Sequence, residues 1–150
     1  MKKRLLLLLA LLTICSCTPL KAPTAQFQKY EITNISFNKA DLAFLFDVEN
    51  PNATPISIKD INYSLSLDGS NVVSGTHEGF SLQAKEKISV KIPIEIKFVQ
   101  LVGEAGNLAK KFILRDNNIK YCLDGQASIF DNVGFSARVP FTADGEIKFF

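Results

Sequence analysis

Three cysteines and one histidine in 150 residues limit the covalent and metal chemistry open to this chain. Cys17 has the most informative position, because it stands where an apolar segment ends, in Ile14-Cys15-Ser16-Cys17. Its thiol is a nucleophile in its ionised form. A cysteine at this point of the sequence indicates covalent modification rather than packing, since the residues before it have the character of a targeting segment.

The first sixteen residues have the order of a secretory signal peptide. Met1-Lys2-Lys3-Arg4 is positively charged, and Leu5–Leu12 is all leucine except Ala10. This apolar run is too short to span a bilayer as a permanent helix. The tetrad that ends in Cys17 resembles a bacterial lipobox. That resemblance implies acylation of the Cys17 thiol, cleavage after Ser16 and acylation of the new amino terminus.

Two other interpretations of this segment stay open. Lipidation of Cys15 would put the bulky, β-branched Ile14 at the cleavage site, and ordinary secretory cleavage would release a soluble protein. If Cys17 is lipidated, several acyl chains at about 0.8 kcal/mol per buried CH₂ anchor the protein to a membrane. Thr18, not aspartate, follows Cys17, which resembles lipoproteins sent to the outer membrane. We therefore expect a cell-envelope protein, in the outer membrane of a diderm host.

Removal of residues 1–16 leaves 134 residues, enough for one domain. Without Lys2, Lys3 and Arg4, the chain has fourteen basic and fifteen acidic side chains. The mature chain is nearly neutral and has no basic block, so we expect no nucleic-acid partner.

With Cys15 removed and Cys17 acylated, Cys122 has no cysteine to pair with, and no intramolecular disulfide is expected. Cys122 lies in an apolar stretch and is predicted to be a buried, inert thiol.

His77 is the only residue around which a histidine-dependent catalytic group could form. It lies in the loop-like segment Gly75–Gly79, and the sequence has no Gly-x-Ser-x-Gly motif, phosphate-binding loop or dinucleotide fingerprint. A lone loop histidine is typically solvated, and a metal site needs a cluster of ligands. The chain is therefore predicted not to be an enzyme, with no catalytic residues, no metal site and no cofactor.

The elements that must position these residues are mainly β-strands. Residues 17–26 are predicted to form an acylated tether and residues 27–150 one folded domain. Alternation of apolar and polar residues predicts antiparallel strands with one buried face. The alternating apolar sets are Leu42, Phe44, Phe46 and Val48; Ile88, Val90, Ile92, Ile94 and Ile96; and Val133, Phe135, Ala137, Val139 and Phe141.

Three local signals interrupt this alternation. The apolar residues have even numbers at Ile56 and Ile58 but odd numbers from Ile61 to Leu67, so Lys59-Asp60 is predicted to absorb an extra residue in a bulge or bend. Such a slip could take the strand to the sheet edge or into a second sheet. Asp68-Gly69 predicts a hairpin turn. Apolar spacing of three and four predicts an amphipathic helix near residues 97–112.

The stretch from Leu42 to Ile96 resembles group 2 of the late embryogenesis abundant family, also described as the WHy (water stress and hypersensitive response) domain. The residues that carry the resemblance are Leu45–Asn52, Pro55–Ile58, Ile61–Leu65, Val72–Gly75 and the alternating run Ile88–Ile96. The resemblance implies an all-β, immunoglobulin-like or fibronectin-like sandwich of about seven antiparallel strands with one crossover helix. It implies an association with water stress and no catalytic residues. Asn50, Pro51 and Asn52 are expected to be structural turn residues.

The leading functional expectation is a non-enzymatic, membrane-anchored lipoprotein that protects or binds in the cell envelope during water loss. One alternative is an interaction module whose exposed strand edges pair with an unknown envelope protein. Another is an apolar-ligand carrier with a groove beside the helix, where Gly103 and Gly106 would ease movement. Against the carrier, the phenylalanines are expected to fill the core; they are Phe44, Phe46, Phe98, Phe112, Phe135 and Phe141.

Overall fold

In the computed structural model, the described part of the chain comprises residues 20–101, 111 and 118–148. It forms two antiparallel sheets. The elements are β1 (Thr24–Ile35), β2 (Lys39–Glu49), β3 (Ile56–Leu67), β4 (Ser70–His77), β5 (Phe80–Leu82), β6 (Lys87–Lys97), a 3₁₀ turn (Phe98–Leu101), β7 (Ile119–Asp131) and β8 (Ser136–Ile147). Sheet A has the order β1-β2-β6; sheet B has the order β4-β3-β7-β8, with β5 paired to β3. The predicted all-β sandwich is confirmed, with eight strands in these residues where about seven were expected.

The core lies between the sheets and consists of the alternating apolar residues. Leu42, Phe44 and Phe46 of β2 face inward, and β6 buries every second residue from Val90 to Ile96. The Phe44 ring is central: its centroid lies 5.4 Å from that of Tyr121 in an edge-to-face arrangement. Offset aromatic pairs of this kind add to the energy of apolar burial.

The predicted bulge at Lys59-Asp60 is present in β3. Lys59 pairs with Ser128 and Asn62 with Gln126, so two residues of β3 face the single residue Ala127 of β7. Asp60 has a positive φ of 50°, which a bulge permits and a regular strand does not. The strand stays in sheet B. The bulge instead separates its pairing with β5 from its pairing with β4.

The predicted hairpin between β3 and β4 is also present. Leu67 pairs with Ser70, and the two residues between them, Asp68 and Gly69, both have positive φ, at 46° and 82°. This is the backbone of a type I′ turn, for which Asp-Gly is a favoured sequence.

Three expectations need correction or fall outside the described residues. Of the helix expected at residues 97–112, the described part shows a 3₁₀ turn at Phe98–Leu101 and a helical residue at Lys111, and residues 102–110 and 112 are not described. β1 begins at Thr24, so the fold starts before the predicted boundary at residue 27. The third apolar set does not form one buried face: Val133 and Phe135 are exposed in the β7–β8 turn, and β8 begins only at Ser136.

Candidate functional site

Asn50 is a fully buried polar residue at the end of β2, with 0% of its surface exposed. Its side-chain amide donates to the carbonyl oxygens of Thr54, at 2.9 Å, and Gln83, at 2.8 Å. Its Oδ1 accepts the backbone N–H of Asn52 at 3.0 Å and the side-chain amide of Asn52 at 2.9 Å. These four hydrogen bonds use both donors and both acceptor positions of an asparagine side chain. No residue of similar size could replace all four.

Asn52 connects this turn to the segment that precedes β1. Its Oδ1 accepts the backbone N–H of Lys21, and its Nδ2 donates to the carbonyl of Lys21, both at 2.8 Å. The side chain thus pairs with one backbone residue as a neighbouring strand would. We call Asn50, Asn52 and the Lys21 backbone the Asn clamp. It fixes the chain where the predicted tether enters the domain.

The β5–β6 loop completes the same junction. The Asn50 backbone N–H donates to Glu86 O at 2.9 Å, and the Lys85 backbone N–H donates to Asn52 O at 3.1 Å. Lys85 Nζ donates to Pro51 O at 2.5 Å. Lys85 has a φ of 61°, a conformation that non-glycine residues adopt only where surrounding contacts impose it. The predicted turn residues therefore join three segments that are distant in sequence.

A polar cleft of about 340 Å³ opens beside the Asn clamp. Lys21 and Lys85 line it together with Asp131 and Val133 of the β7–β8 turn. No local pattern predicts this juxtaposition, because its components come from four separate parts of the chain.

The outer face of sheet A carries ion pairs, some between strands and some within one strand, and we call it the ionic face. Lys39 Nζ lies 2.7 Å from Glu95 Oε2 and 3.2 Å from Asp41 Oδ2, and Lys87 Nζ lies 3.2 Å from Asp47 Oδ2. The remaining pairs on this face are Lys29–Glu31, Lys91–Glu31 and Lys97–Glu95. Hydrogen bonds from Ser89 and Lys87 hold the pKa of Asp47 below its ordinary value of 3.8, and those from Lys29 do the same for Glu31.

These lowered pKa values predict the acid sensitivity of the fold. A carboxylate with a depressed folded-state pKa stabilises the fold above its unfolded value, and that contribution is lost as pH falls through the folded pKa. Urea unfolding midpoints should therefore fall as the pH drops below about 4.5, the ordinary value for Glu31 and Glu95. Asp47→Asn should flatten this acid limb. Because these side chains lie at the surface and are partly exposed, the difference between variant and wild type should shrink in about 1 M salt. An unchanged difference would contradict the assignment to surface pairs.

An apolar cavity of about 50 Å³ lies between the sheets, lined by Phe46, Ile92, Ile129 and Phe141 among others. The cavity lies near Val48, at the C-terminal end of β2. The 3₁₀ turn lies at the opposite end of the sheet, because it follows Lys97, which pairs with Lys39 at the start of β2. An engineered cavity that binds benzene has about 150 Å³, and drug-sized ligands occupy roughly 300 Å³ or more. This cavity is therefore too small for a lipid chain, and it lies away from the 3₁₀ turn. The groove expected beside residues 97–112 falls mostly outside the described residues.

His77 bridges the two sheets. Its Nδ1 lies 2.7 Å from Glu78 O, and its Nε2 lies 3.1 Å from Lys91 O in β6. Both ring nitrogens thus face backbone carbonyls. The prediction that His77 is merely solvated needs correction, because the ring is half-buried and connects β4 with the edge of β6.

Cys122 is half-buried on the outer side of sheet B, not buried as predicted. Its Sγ donates to Asp124 Oδ2 at 3.3 Å. This hydrogen bond to a carboxylate, together with partial burial, raises the pKa of the thiol and so lowers its reactivity.

Among the described residues, no three His, Cys, Asp or Glu side chains gather as metal ligands would. Ser16 and Cys17 lie outside the described residues. None of the helical segments that the structure describes has the length and apolarity to cross a bilayer.

Comparison with known proteins identifies the family. The family model of the late embryogenesis abundant proteins, type 2, matches residues 45–145. The chain belongs to this family. It is 30% identical over 132 residues to a soybean (Glycine max) protein described as a desiccation protectant protein Lea14 homolog, covering 87% of the chain and 84% of the relative.

Solved structures share the fold. A solution structure from Arabidopsis thaliana has a TM-score of 0.66 at 22% identity, covering 91% of this chain and 88% of that protein. A crystal structure from Archaeoglobus fulgidus has a TM-score of 0.57 at 14% identity, covering 87% and 97%. Asn50, Pro51 and Asn52 lie inside the late embryogenesis abundant match, whereas Lys21, their partner in the Asn clamp, precedes it.

Proposed function

We propose that the mature protein is a non-enzymatic lipoprotein, anchored in the cell envelope by acylated Cys17, that protects the envelope during water loss. The observation that carries the protective role is membership of the late embryogenesis abundant family together with similarity to a relative named as a desiccation protectant. The anchoring rests on the lipobox-like tetrad that ends in Cys17.

The ionic face gives a physical reason why this domain would keep its fold as water is withdrawn. An isolated charge loses its hydration at a high free-energy cost, whereas a paired charge gains Coulomb energy as the surrounding dielectric constant falls. Glu31, Asp41, Asp47 and Glu95 each have a lysine nitrogen within 3.5 Å. In the described residues, every buried side-chain nitrogen and oxygen also has a hydrogen-bond partner. Such a surface depends less on bulk water than one of unpaired charges.

A strain without the gene tests the proposal when it is dried and rehydrated. We expect survival to fall several-fold and to recover with the wild-type gene. Cys17→Ala should move the protein from the membrane fraction to the soluble fraction and fail to restore survival, because the site of action is the membrane. Intact mass should show wild type beginning at Cys17 with a diacylglyceryl group. Full survival of the deletion strain would refute the protective role, and an unmodified, soluble wild type would refute the anchor.

One edge strand supports the alternative function, an interaction module that pairs with an envelope partner. Pro93 of β6 and Pro140 of β8 cannot donate to an added strand. β4, by contrast, is an edge strand of sheet B and contains neither proline nor a lysine, arginine or carboxylate. An envelope partner would therefore be expected at β4. Loss of one specific complex in the deletion strain, with normal survival on drying, would favour this function.

A further inference from the structure

The two ends of the sandwich expose different loops. The end that we call the tether end contains Lys21, the turn after β2, the loop before β6 and the turn Asp131–Phe135. The register pairs Thr24 with Glu49, Glu49 with Lys87 and Ile56 with Asp131. The opposite, distal end contains the β1–β2 turn around Phe37. β1 has twelve residues, which at about 3.3 Å each separate the ends by roughly 35–40 Å.

The tether end presents an exposed apolar side chain on a constrained turn. Asp131 Oδ1 accepts the backbone N–H groups of Val133, at 3.0 Å, and Phe135, at 2.8 Å. Gly134, with a φ of 91°, completes the turn. The turn is thus held by its own hydrogen bonds while Val133 is 89% exposed and Phe135 44% exposed. Leu20, Lys21 and Val133 line the same cleft.

Chain length limits how far the anchor can lie from this end. Three residue steps separate Cys17 from Leu20, a span of at most about 11 Å. The Asn clamp fixes the next residue, Lys21, by two hydrogen bonds of 2.8 Å. A lipid on Cys17 therefore sets the bilayer surface within about a nanometre of the tether end.

We propose that the tether end is a membrane-contacting surface, on which the Asp131–Phe135 turn places Val133 in the lipid interface while the distal end points away from the bilayer. This inference rests on the proposed lipidation of Cys17. The partner is the lipid surface that carries the anchor, because the short tether holds this end of the domain, with Lys21 and Val133 on one cleft, within about a nanometre of it. The Asn clamp favours this orientation because it fixes Lys21 to the tether end and leaves only residues 17–20 between the lipid and the domain.

The test uses the full-length chain expressed with residues 1–16 and with Cys122→Ser, purified and reconstituted in vesicles of phosphatidylethanolamine and phosphatidylglycerol that contain a spin-labelled lipid. An environment-sensitive fluorophore is attached in turn to Val133→Cys, to Phe37→Cys at the distal end and to Thr76→Cys on the lateral edge strand β4. We expect blue-shifted emission and several-fold stronger quenching at position 133 than at positions 37 and 76. Asn52→Ala should reduce this contrast without changing vesicle flotation.

The outcomes distinguish the lipid anchor, the orientation of the domain and the role of the Asn clamp. Protein that fails to float with vesicles would overturn both the anchor and the orientation. Protein that floats, but is quenched equally at 133 and 76 or more strongly at 37, would overturn the orientation alone. An undiminished contrast in Asn52→Ala would show that the Asn clamp does not orient the domain.

Discussion

Replacement of Asn50 by alanine should lower the free energy of unfolding by about 3 kcal/mol or more, since each buried hydrogen-bonding group left without a partner costs about 1–3 kcal/mol. The substitution removes the donors to Thr54 O and Gln83 O and the acceptor for both N–H groups of Asn52. No part of Asn50 is exposed to water that could replace them. Urea unfolding followed by circular dichroism measures the change.

Two further variants separate the hydrogen-bond account from a loss of side-chain volume. Asn71→Ala removes an exposed amide that donates to Ser64 Oγ and Ser74 Oγ; it should cost about 0.5 kcal/mol or less, as is usual for surface sites. Asn50→Asp keeps the volume but points carboxylate oxygen at the carbonyls of Thr54 and Gln83. It should destabilise the fold at least as much as Asn50→Ala, and a milder effect would contradict this account.

The sequence predicts the parts of this fold that depend on neighbouring residues. The change from even to odd apolar positions after Ile58 located the bulge at Lys59-Asp60, because side chains of a strand alternate between two faces. Asp68-Gly69 located the hairpin because both turn residues need positive φ. Both signals arise within a few residues, so one sequence is sufficient to find them.

The same alternation misled where a turn interrupted it. Val133 and Phe135 continue the odd-numbered apolar series of β8, yet Asp131-Asn132-Val133-Gly134 has the composition of a turn. The carboxylate of Asp131 accepts two backbone N–H groups there, which competes with strand pairing. The Asp131 and Gly134 positions place the turn before Ser136, where β8 begins.

The Asn clamp could be predicted only in part. Asn-Pro-Asn indicates a turn from local chemistry, but the partners of the two amides lie 31 and 33 residues away, at Lys21 and Gln83. Nothing in the local sequence specifies which backbone groups tertiary packing brings to a buried amide. This is why the sequence places residues 17–26 before the domain, whereas the structure attaches Lys21 to it.

Phe44→Ala should destabilise the domain by about 3–5 kcal/mol, the usual cost of removing a buried phenylalanine ring and leaving a cavity. Phe44 is completely buried, and its ring contacts those of Phe27, Tyr30 and Tyr121. Loss of this ring removes contacts to both sheets at once, since Tyr121 belongs to β7 and the others to sheet A. The midpoint of urea unfolding should fall, while the slope of the free energy of unfolding against urea concentration stays the same.

Phe37→Ala is the matched control, because it removes the same ring from a fully exposed position in the β1–β2 turn. Its effect should lie within about 0.5 kcal/mol of zero. Equal losses in the two variants would mean that the rings act through the unfolded chain rather than through the core between the sheets. A large loss confined to Phe44→Ala would show that the stability of this domain depends on the inward face of β2. The exposed ring of Phe37 would then be available for substitution, as the labelling of the distal end requires.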